Sequence, residues 1–340
     1  MRRRDERGVV LLVVLVFALL LTSTVATFLH RATLDMMIVR NRDARARADA
    51  LARGGLRLAQ GLILADRMAQ GEEDLAVNNS SSLWAQVSGR EIATKDGGTL
   101  QISIEDSGSR LNLNAVIGHD EDDQLSNQTQ PLLEGLLEKV IEEMPLPPGE
   151  KVYDVSDLTE SLIDYVDPDD VGLRGGSEDS YYQLQDPPYR AANRPLLSID
   201  ELRRVEGFDA KLVEALKPYV TVYPYAGTGG INLNTAPPHV LALLFFDDGV
   251  DLRLAPENTV REILEVREEG GVICDEDQSD ESCTPIRELV TNAIYPPPDV
   301  SSDVFTVVAR ARVGDVTRSI EAVMHRLEEG EVRLLSWRVL

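Results

Sequence analysis

The acidic residues of one turn-rich stretch have the clearest capacity for chemistry in this chain. Residues 162–179 read LIDYVDPDDVGLRGGSED and contain six carboxylates: Asp164, Asp167, Asp169, Asp170, Glu178 and Asp179. Hard oxygen ligands on a flexible loop are what Ca²⁺ coordination requires, and glycines allow such a loop to wrap around an ion. The spacing does not match an EF-hand, so it predicts no known cage. A solvated acidic loop is the alternative interpretation.

Two cysteines offer a second kind of chemistry. Cys274 and Cys283 are the only cysteines of the chain, and they flank an acidic run in the segment CDEDQSDESC. A zinc site would need four ligands, and no histidine lies nearby. We therefore predict a disulfide and, with it, an oxidising compartment. A closed loop would hold like charges together, which makes a weaker cation site of the acidic residues between the cysteines: Asp275, Glu276, Asp277, Asp280 and Glu281.

The sequence contains no recognisable catalytic arrangement. The histidines are scattered along the chain at His30, His119, His239 and His325. No GxSxG, HExxH, Walker A or CxxC spacing occurs. Asp164 and Asp167 could act as an acid–base pair, but nothing favours that role over a metal site or a surface loop. We predict no catalytic residues and no enzyme, with a periplasmic metal-dependent hydrolase as an alternative.

Two segments are similar to helix-hairpin-helix units, residues 198–221 around Gly207 and residues 231–244 continuing at 257–270. In DNA-binding examples such glycines direct backbone N–H groups at a phosphate, which requires basic flanks. Here the flanks are acidic, with Glu206, Asp209, Glu214, Asp247, Asp248 and Asp251. The formal charge of the chain is −24, which repels nucleic acid. We predict a packing role without nucleic acid, and a membrane-anchored DNA-binding receptor is the alternative.

The elements that must position these groups begin with a membrane helix. Residues 1–7 are basic, Gly8 follows, and Val9–Leu29 is an uncharged run long enough to cross a bilayer. No signal-peptide cleavage site follows it. The helix pattern continues to about Ala69. It carries an apolar stripe, which would face either a partner or the protein's own sheet: Met37, Ala44, Ala48, Leu51, Leu58 and Leu62.

The remaining chain reads as strands on either side of a helical middle. Alternating apolar residues predict a β-hairpin over residues 99–114 and three antiparallel strands over 304–313, 316–327 and 332–339. Between them, helices are predicted at residues 131–144, 155–166, 198–205, 210–219, 237–246, 257–268 and 286–293. The predicted fold is α+β: a long N-terminal helix packed on an antiparallel sheet, with a large inserted all-helical domain.

The N-terminus resembles the leader of type IV prepilins, in which a basic segment ends in a glycine just before the apolar helix. In that family a prepilin peptidase cuts after the glycine, here between Gly8 and Val9, and methylates the new amine. The family usually has Glu five residues after the cut, where this chain has Val13. A charge in the apolar layer is costly unless it is paired. Val13 therefore suits a subunit with no neighbour above it.

Four further segments follow in order: RLNLN, LIDYVDPDD with GGSED, YRAANRPLLSIDELRRVEGF and INLNTAPPHVL. Together they resemble the minor pseudopilins of type II secretion known as general secretion pathway protein K. The resemblance implies five parts: a leader (1–8), a transmembrane helix (9–30), a pilin-like domain (31–116), an inserted helical domain (117–300) and the last strands of the pilin-like sheet (301–340). It also implies calcium in the helical domain, which we assign to Asp167, Asp169, Asp170, Glu178 and Asp179.

The same resemblance implies a structural function. Such a subunit caps the tip of the pseudopilus and nucleates its assembly for protein export across the outer membrane. Its implied partners are two smaller minor pseudopilins in a tip complex, the major pseudopilin beneath, and the prepilin peptidase. The implied location is the bacterial inner membrane, crossed once, with the main domain in the periplasm.

Overall fold

The computed structural model describes residues 5–70, 77–95, 97–118, 128–145, 152–225, 230–247, 252–275, 283–290, 293–327 and 330–340. The α-helices are α1 (Asp5–Gln70), α2 (Leu83–Val87), α3 (Leu113–Val116), α4 (Thr129–Glu143), α5 (Val155–Val166), α6 (Asp179–Tyr182), α7 (Ala210–Leu216), α8 (Pro238–Leu241), α9 (Glu257–Glu268) and α10 (Ile286–Leu289). Two 3₁₀ helices span Ser107–Ser109 and Ile199–Arg204.

The strands are β1 (Glu91–Ala93), β2 (Gly98–Asp106), β3 (Leu111–Asn112), β4 (Val220–Thr221), β5 (Ile231–Asn232), β6 (Phe245–Asp247), β7 (Leu252–Leu254), β8 (Ile273–Cys274), β9 (Thr284–Pro285), β10 (Ala293–Tyr295), β11 (Pro298–Asp299), β12 (Val304–Val313), β13 (Val316–Arg326) and β14 (Val332–Val339). The largest sheet has the order β1-β2-β12-β13-β14, and each neighbouring pair in it is antiparallel. The predicted three-stranded meander at the end of the chain is confirmed.

Helix α1 contains 66 residues and is about 100 Å long at 1.5 Å per residue, which confirms the predicted continuous helix. Its first half is exposed, and burial against the sheet begins at Ala48. The buried face consists of Ala48, Ala52, Ala59 and Ile63. Of the predicted apolar stripe, Ala48 packs against the sheet, whereas Met37 and Leu58 are exposed, which leaves the predicted partner-facing part untested. Most side chains of the buried face are small, because the helix lies very close to the sheet.

Two adjacent glycines of α1 allow a direct test of this close packing. A Cβ atom added at Gly55 would lie 2.9 Å from Leu100 Cδ1 and 3.0 Å from Ala309 Cβ, whereas one added at Gly54 would meet nothing within 4 Å. We expect Gly55→Ala to lower the free energy of unfolding by about 1–3 kcal/mol through overpacking. Gly54→Ala should raise it by about 0.5–1 kcal/mol, because alanine favours the helix. Urea denaturation of both variants measures the two shifts, and equal shifts would contradict this packing.

The predicted hairpin over residues 99–114 is wrong in its second half. Strand β2 ends at Asp106, and Leu111–Asn112 pair in parallel with Val220–Thr221 instead of returning along β2. Strand β2 pairs with β1 and β12. The alternation of Leu111 and Leu113 reflects burial in a different core, since both belong to the apolar cluster of the inserted region.

The inserted region fills the interval between β2 and β12 and has its own large core. That core extends from Leu111 to Val300, while a smaller cluster joins α1 to the five-stranded sheet. The change from one core to the other falls near the predicted domain boundaries, which themselves stay a prediction. The prediction of a wholly helical insert needs one refinement, because short strands β3–β11 lie among its helices.

One of these strands replaces part of a predicted helix. The helix predicted over residues 237–246 ends at Leu241, and β6 begins at Phe245. The Phe245 ring occupies the space above Gly135 of α4, where an added Cβ would lie 2.5 Å from the ring. The helix predicted over 286–293 likewise ends at Leu289, and Ala293 starts β10, which pairs with β6.

The sequence Asn-Leu-Asn occurs twice, at residues 112–114 and 232–234, and its last asparagine makes the same pair of hydrogen bonds each time. After β3, the Asn114 side chain accepts a hydrogen bond from Leu196 N (2.7 Å) and donates one to Leu196 O (2.9 Å). After β5, Asn234 makes the same pair of bonds with Ile273 N and O, both at 2.9 Å. Asn114 thus links the segment after β3 to Leu196, and Asn234 links the segment after β5 to Ile273.

Candidate metal centre

The acidic group that the sequence singles out lies at the C-terminal end of α5 and in the loop that follows. Asp154 caps the helix by accepting a hydrogen bond from Asp157 N, which fixes where α5 begins. Asp164 lies in the last turn, and Asp167 is the C-terminal cap residue. The loop then reverses through an isolated bridge between Val171 and Ser177 and returns at Glu178.

Three carboxylates meet at this point. Asp164, Asp167 and Glu178 each place one carboxylate oxygen so that all three oxygens lie within 4.8 Å of one another. Asp167 and Glu178 are buried. Within the described part of the chain, Asp167 Oδ1 and both Glu178 carboxylate oxygens are buried without a hydrogen-bond partner. Buried polar groups normally have a partner, so this arrangement leaves room for a bound cation to supply one.

The electrostatics of the group agree with its geometry. Burial, reinforced by the charges of Asp169 and Asp164, raises the pKa of Asp167 to about 7. Burial, with the charge of Asp167 as the next contribution, raises the pKa of Glu178 to about 8. The pKa of Asp164 is also raised, chiefly by burial. Holding these carboxylates ionised together is unfavourable, and a divalent cation would relieve that cost.

Two of the five predicted ligands, Asp167 and Glu178, belong to the group, and Asp164 joins them. The other predicted ligands lie outside it in the described structure. Asp169 accepts a hydrogen bond from Val171 N (2.7 Å), and Asp170 accepts one from Asn193 Nδ2 (3.3 Å). Asp179 accepts one from Ala191 N (3.1 Å) and lies 3.6 Å from Arg190 Nε. These three residues shape the loop. The signal for Asp164 is its position one helical turn before Asp167.

The residues present fit a calcium ion. Three carboxylates supply hard oxygen ligands, and water can complete a coordination number of 6–8. Gly172 keeps the backbone close to the group, since an added Cβ there would lie 3.1 Å from Asp164 Oδ2. Gly175 and Gly176 have φ angles of +79° and +98°, which allow the tight return of the loop.

The structure also describes the two cysteines and the hairpin glycine that the sequence singles out. Cys274 and Cys283 form a disulfide with a Cα–Cα distance of 5.8 Å. Of the acidic residues between them, only Asp275 lies within the described residues. Gly207 has a φ of +85°, and a Cβ added to it would lie 2.7 Å from Leu158 Cδ2. The hairpin glycine thus packs against α5, which is the packing role that the sequence predicts.

Comparison with known proteins shows what the chain is similar to. The family model described as "Type II secretion system (T2SS), protein K" matches residues 109–225. The type II secretion system protein K of Pseudomonas aeruginosa is 27% identical over 98% of this chain and 93% of its own length. That of Aeromonas hydrophila is 27% identical over 98% of this chain and 96% of its own length. The chain is therefore similar to type II secretion system protein K along almost its whole length.

The fold agrees with this similarity. The chain is similar to a chain in the crystal structure of the GspK-GspI-GspJ complex from enterotoxigenic Escherichia coli, with a TM-score of 0.64 and 20% identity. The match covers 89% of this chain and 99% of that one. The predicted resemblance and the predicted fold class are therefore confirmed. The similarity to protein K supports the role of a minor pseudopilin, a structural component of a secretion system.

The N-terminal part of this chain is a candidate membrane anchor. Helix α1 is long and apolar enough from Val9 onward to cross a membrane, and its apolar portion is not buried by the rest of the chain. Gly8, Val9 and Val13 all lie within α1. The side chain of Val13 is exposed on the helix surface.

Proposed function

We propose that this protein caps the tip of the type II secretion pseudopilus and nucleates its assembly for protein export across the outer membrane. The position of the insert carries this proposal. Gln70 Nε2 at the C-terminal end of α1 donates to Val77 O (2.8 Å), and the neighbouring Asn78 bonds with Val300 O and Ser302 N, where the insert ends. The insert therefore lies at the end of α1 farthest from the candidate anchor, where it would block a further subunit.

Val13 supports the same proposal. A subunit in the middle of a filament would use a carboxylate at this position to pair with the free amine of its neighbour. A capping subunit has no neighbour above it, and an unpaired carboxylate in the apolar layer would be costly. The valine avoids that cost.

The proposed partners follow from the relative with a solved structure, which forms a complex with GspI and GspJ. We propose that two smaller minor pseudopilins bind this chain in a tip complex and that the major pseudopilin adds beneath it. The protein would be anchored in the inner membrane by α1, with its main domain in the periplasm. The disulfide between Cys274 and Cys283 suits that oxidising compartment.

We further propose that Asp164, Asp167 and Glu178 bind calcium. The support is the meeting of their oxygens within 4.8 Å and the buried carboxylate oxygens that lack partners among the described residues. When bound, the ion would supply positive charge that holds the loop after α5 against the helix. The role of calcium would therefore be structural.

Leader processing is the prediction that separates a pilin-like subunit from a plain anchored protein. We expect the protein extracted from its native membrane to begin at Val9 and to carry one added methyl group, as a substrate of prepilin peptidase. Intact mass and N-terminal sequencing measure both features. An intact Met1, or a cut near Ala26, would contradict the pilin-like function.

A further inference from the structure

The last strand of the large sheet has an unprotected free edge. Among the described residues, strand β14 pairs only with β13. Four apolar residues in the strand or directly after it are exposed by 44–58%: Leu334, Trp337, Val339 and Leu340. Edge strands are normally shortened, charged or interrupted by proline, because an open edge invites pairing with another chain. The opposite edge follows that rule, since β1 contains only three residues. Strand β14 contains eight residues and no proline.

The hydrogen-bond pattern of β14 identifies the groups that face outward. Leu340 N donates to Ser319 O, and the pairs Ile320–Val339 and Ala322–Trp337 follow in register. Directly opposed residues of an antiparallel pair alternate between hydrogen-bonded and non-hydrogen-bonded pairs. Trp337 and Val339 therefore occupy non-hydrogen-bonded positions. Their backbone N–H and C=O groups point away from β13, toward the free edge.

The charge around this edge differs from that of the whole molecule. Strand β14 contains Arg333 and Arg338 and no acidic residue, although the chain carries a net charge of −24. Arg338 is neutralised by Glu321 and Asp200. The Arg53 guanidinium of α1 lies 5.5 Å from the centroid of the Trp337 ring. Arg57 follows one turn later on the same face of α1. Arg53 itself pairs with Asp49 (3.0 Å), whereas Arg57 and Arg333 have no ion-pair partner within the described residues. The edge is thus apolar, with two unneutralised cations on an acidic protein.

We propose that the free edge of β14 is the docking site for an extended, acidic and apolar strand of one of the smaller minor pseudopilins. This inference rests on the proposed tip complex and assigns the surface that forms it. The incoming strand would extend the sheet by pairing with the outward groups of Trp337 and Val339. Its apolar side chains would cover Trp337 and Val339, and its carboxylates would approach Arg57 and Arg333. Such strand addition obtains affinity from backbone bonds and specificity from alternate side chains.

A matched pair of substitutions at one position tests the backbone pairing. Val339→Pro removes the outward N–H, whereas Val339→Ala shortens the side chain and keeps that donor. The probe is the pair of smaller minor pseudopilins from the same secretion system, titrated against the full-length protein in detergent. We expect Val339→Pro to weaken binding by about tenfold or more and Val339→Ala by less than about threefold. Melting temperatures identify any variant that fails to fold.

A charge variant keeps the proposal testable if the proline variant unfolds. Trp337→Glu places a negative charge where the acidic strand should dock, so we expect a similar loss of binding that is reduced at high salt. Binding by both folded variants at the wild-type level would overturn the proposal. The proposal would also be overturned if the wild-type protein self-associates and Trp337→Glu abolishes that self-association, because a second copy of this chain would then occupy the edge. Failure of the wild-type protein to bind either subunit would instead contradict the proposed tip complex.

Discussion

Removing calcium is expected to lower the free energy of unfolding by about 2.7 kcal/mol, relative to protein with free calcium at about 100 times its dissociation constant. The expectation follows from Asp164, Asp167 and Glu178, whose oxygens meet around one point. An ion that binds only the folded state must stabilise that state. Thermal melting of the full-length protein with calcium and with a chelator measures the effect.

Two substitutions of adjacent residues make this test specific. Glu178→Gln removes a carboxylate of the group, and we expect it to abolish most of the calcium-dependent stabilisation. Asp179→Asn is the control, because Asp179 lies outside the group and its amide replacement can still accept the bond from Ala191 N. Equal responses to calcium in the two variants would contradict the assignment of Glu178 as a ligand.

The pH dependence without calcium provides an independent check. The pKa of Asp167 is raised to about 7 and that of Glu178 to about 8, so the folded state retains protons that the unfolded chain has lost. Unfolded carboxyls release their protons near about pH 4. Stability in chelator should therefore fall as the pH rises from about 4 to about 8 and change little above that range. Glu178→Gln should reduce this fall.

The second large effect is expected at Asp106, which joins the sheet to the insert. Its carboxylate is buried at the end of β2 and accepts hydrogen bonds from Gly108 N (2.7 Å), Asn232 Nδ2 (2.9 Å) and Thr235 Oγ1 (2.5 Å). Burial raises the pKa of Asp106 even though these bonds favour the ionised form. Asp106→Ala would leave several buried donors without an acceptor. We expect it to lower the free energy of unfolding by about 3 kcal/mol or more.

The neighbouring residue is the control for this prediction. Glu105 lies on the same strand and forms a partly exposed ion pair with Arg110 (2.7 Å). Glu105→Ala should cost about 0.2–1 kcal/mol, as exposed pairs do. Urea denaturation followed by the fluorescence of the buried Trp84 reports on the region where sheet and insert meet. Unfolding of the two variants at the same urea concentration would contradict the role of Asp106 in joining the sheet to the insert.

Long, regular patterns in the sequence predict most of the elements that carry the fold. The continuous helix α1 and the strands β12–β14 are confirmed, because many residues in a row repeat one period and one face is buried. The limits of α5 and α9 are predicted equally well. Asp154 caps the start of α5, and Pro256 directly precedes α9. Sequence also predicts the disulfide partners as the only two cysteines.

Contacts between distant segments account for what the sequence does not predict. Leu111 and Leu113 alternate as in a strand, yet they lie in the core of the insert because the chain crosses from one core to the other there. The asparagines Asn114 and Asn234 gain their structural meaning only from Leu196 and Ile273, which are far away in sequence. The group of three carboxylates likewise depends on a loop return that brings Glu178 to Asp164.

The position of this protein in the assembled filament is the most direct test of the function. Pseudopili are isolated and labelled with an antibody against residues 152–225, which lie in the insert. A capping subunit predicts label at one end of each filament and none along the shaft. Label distributed along the shaft would contradict the capping function.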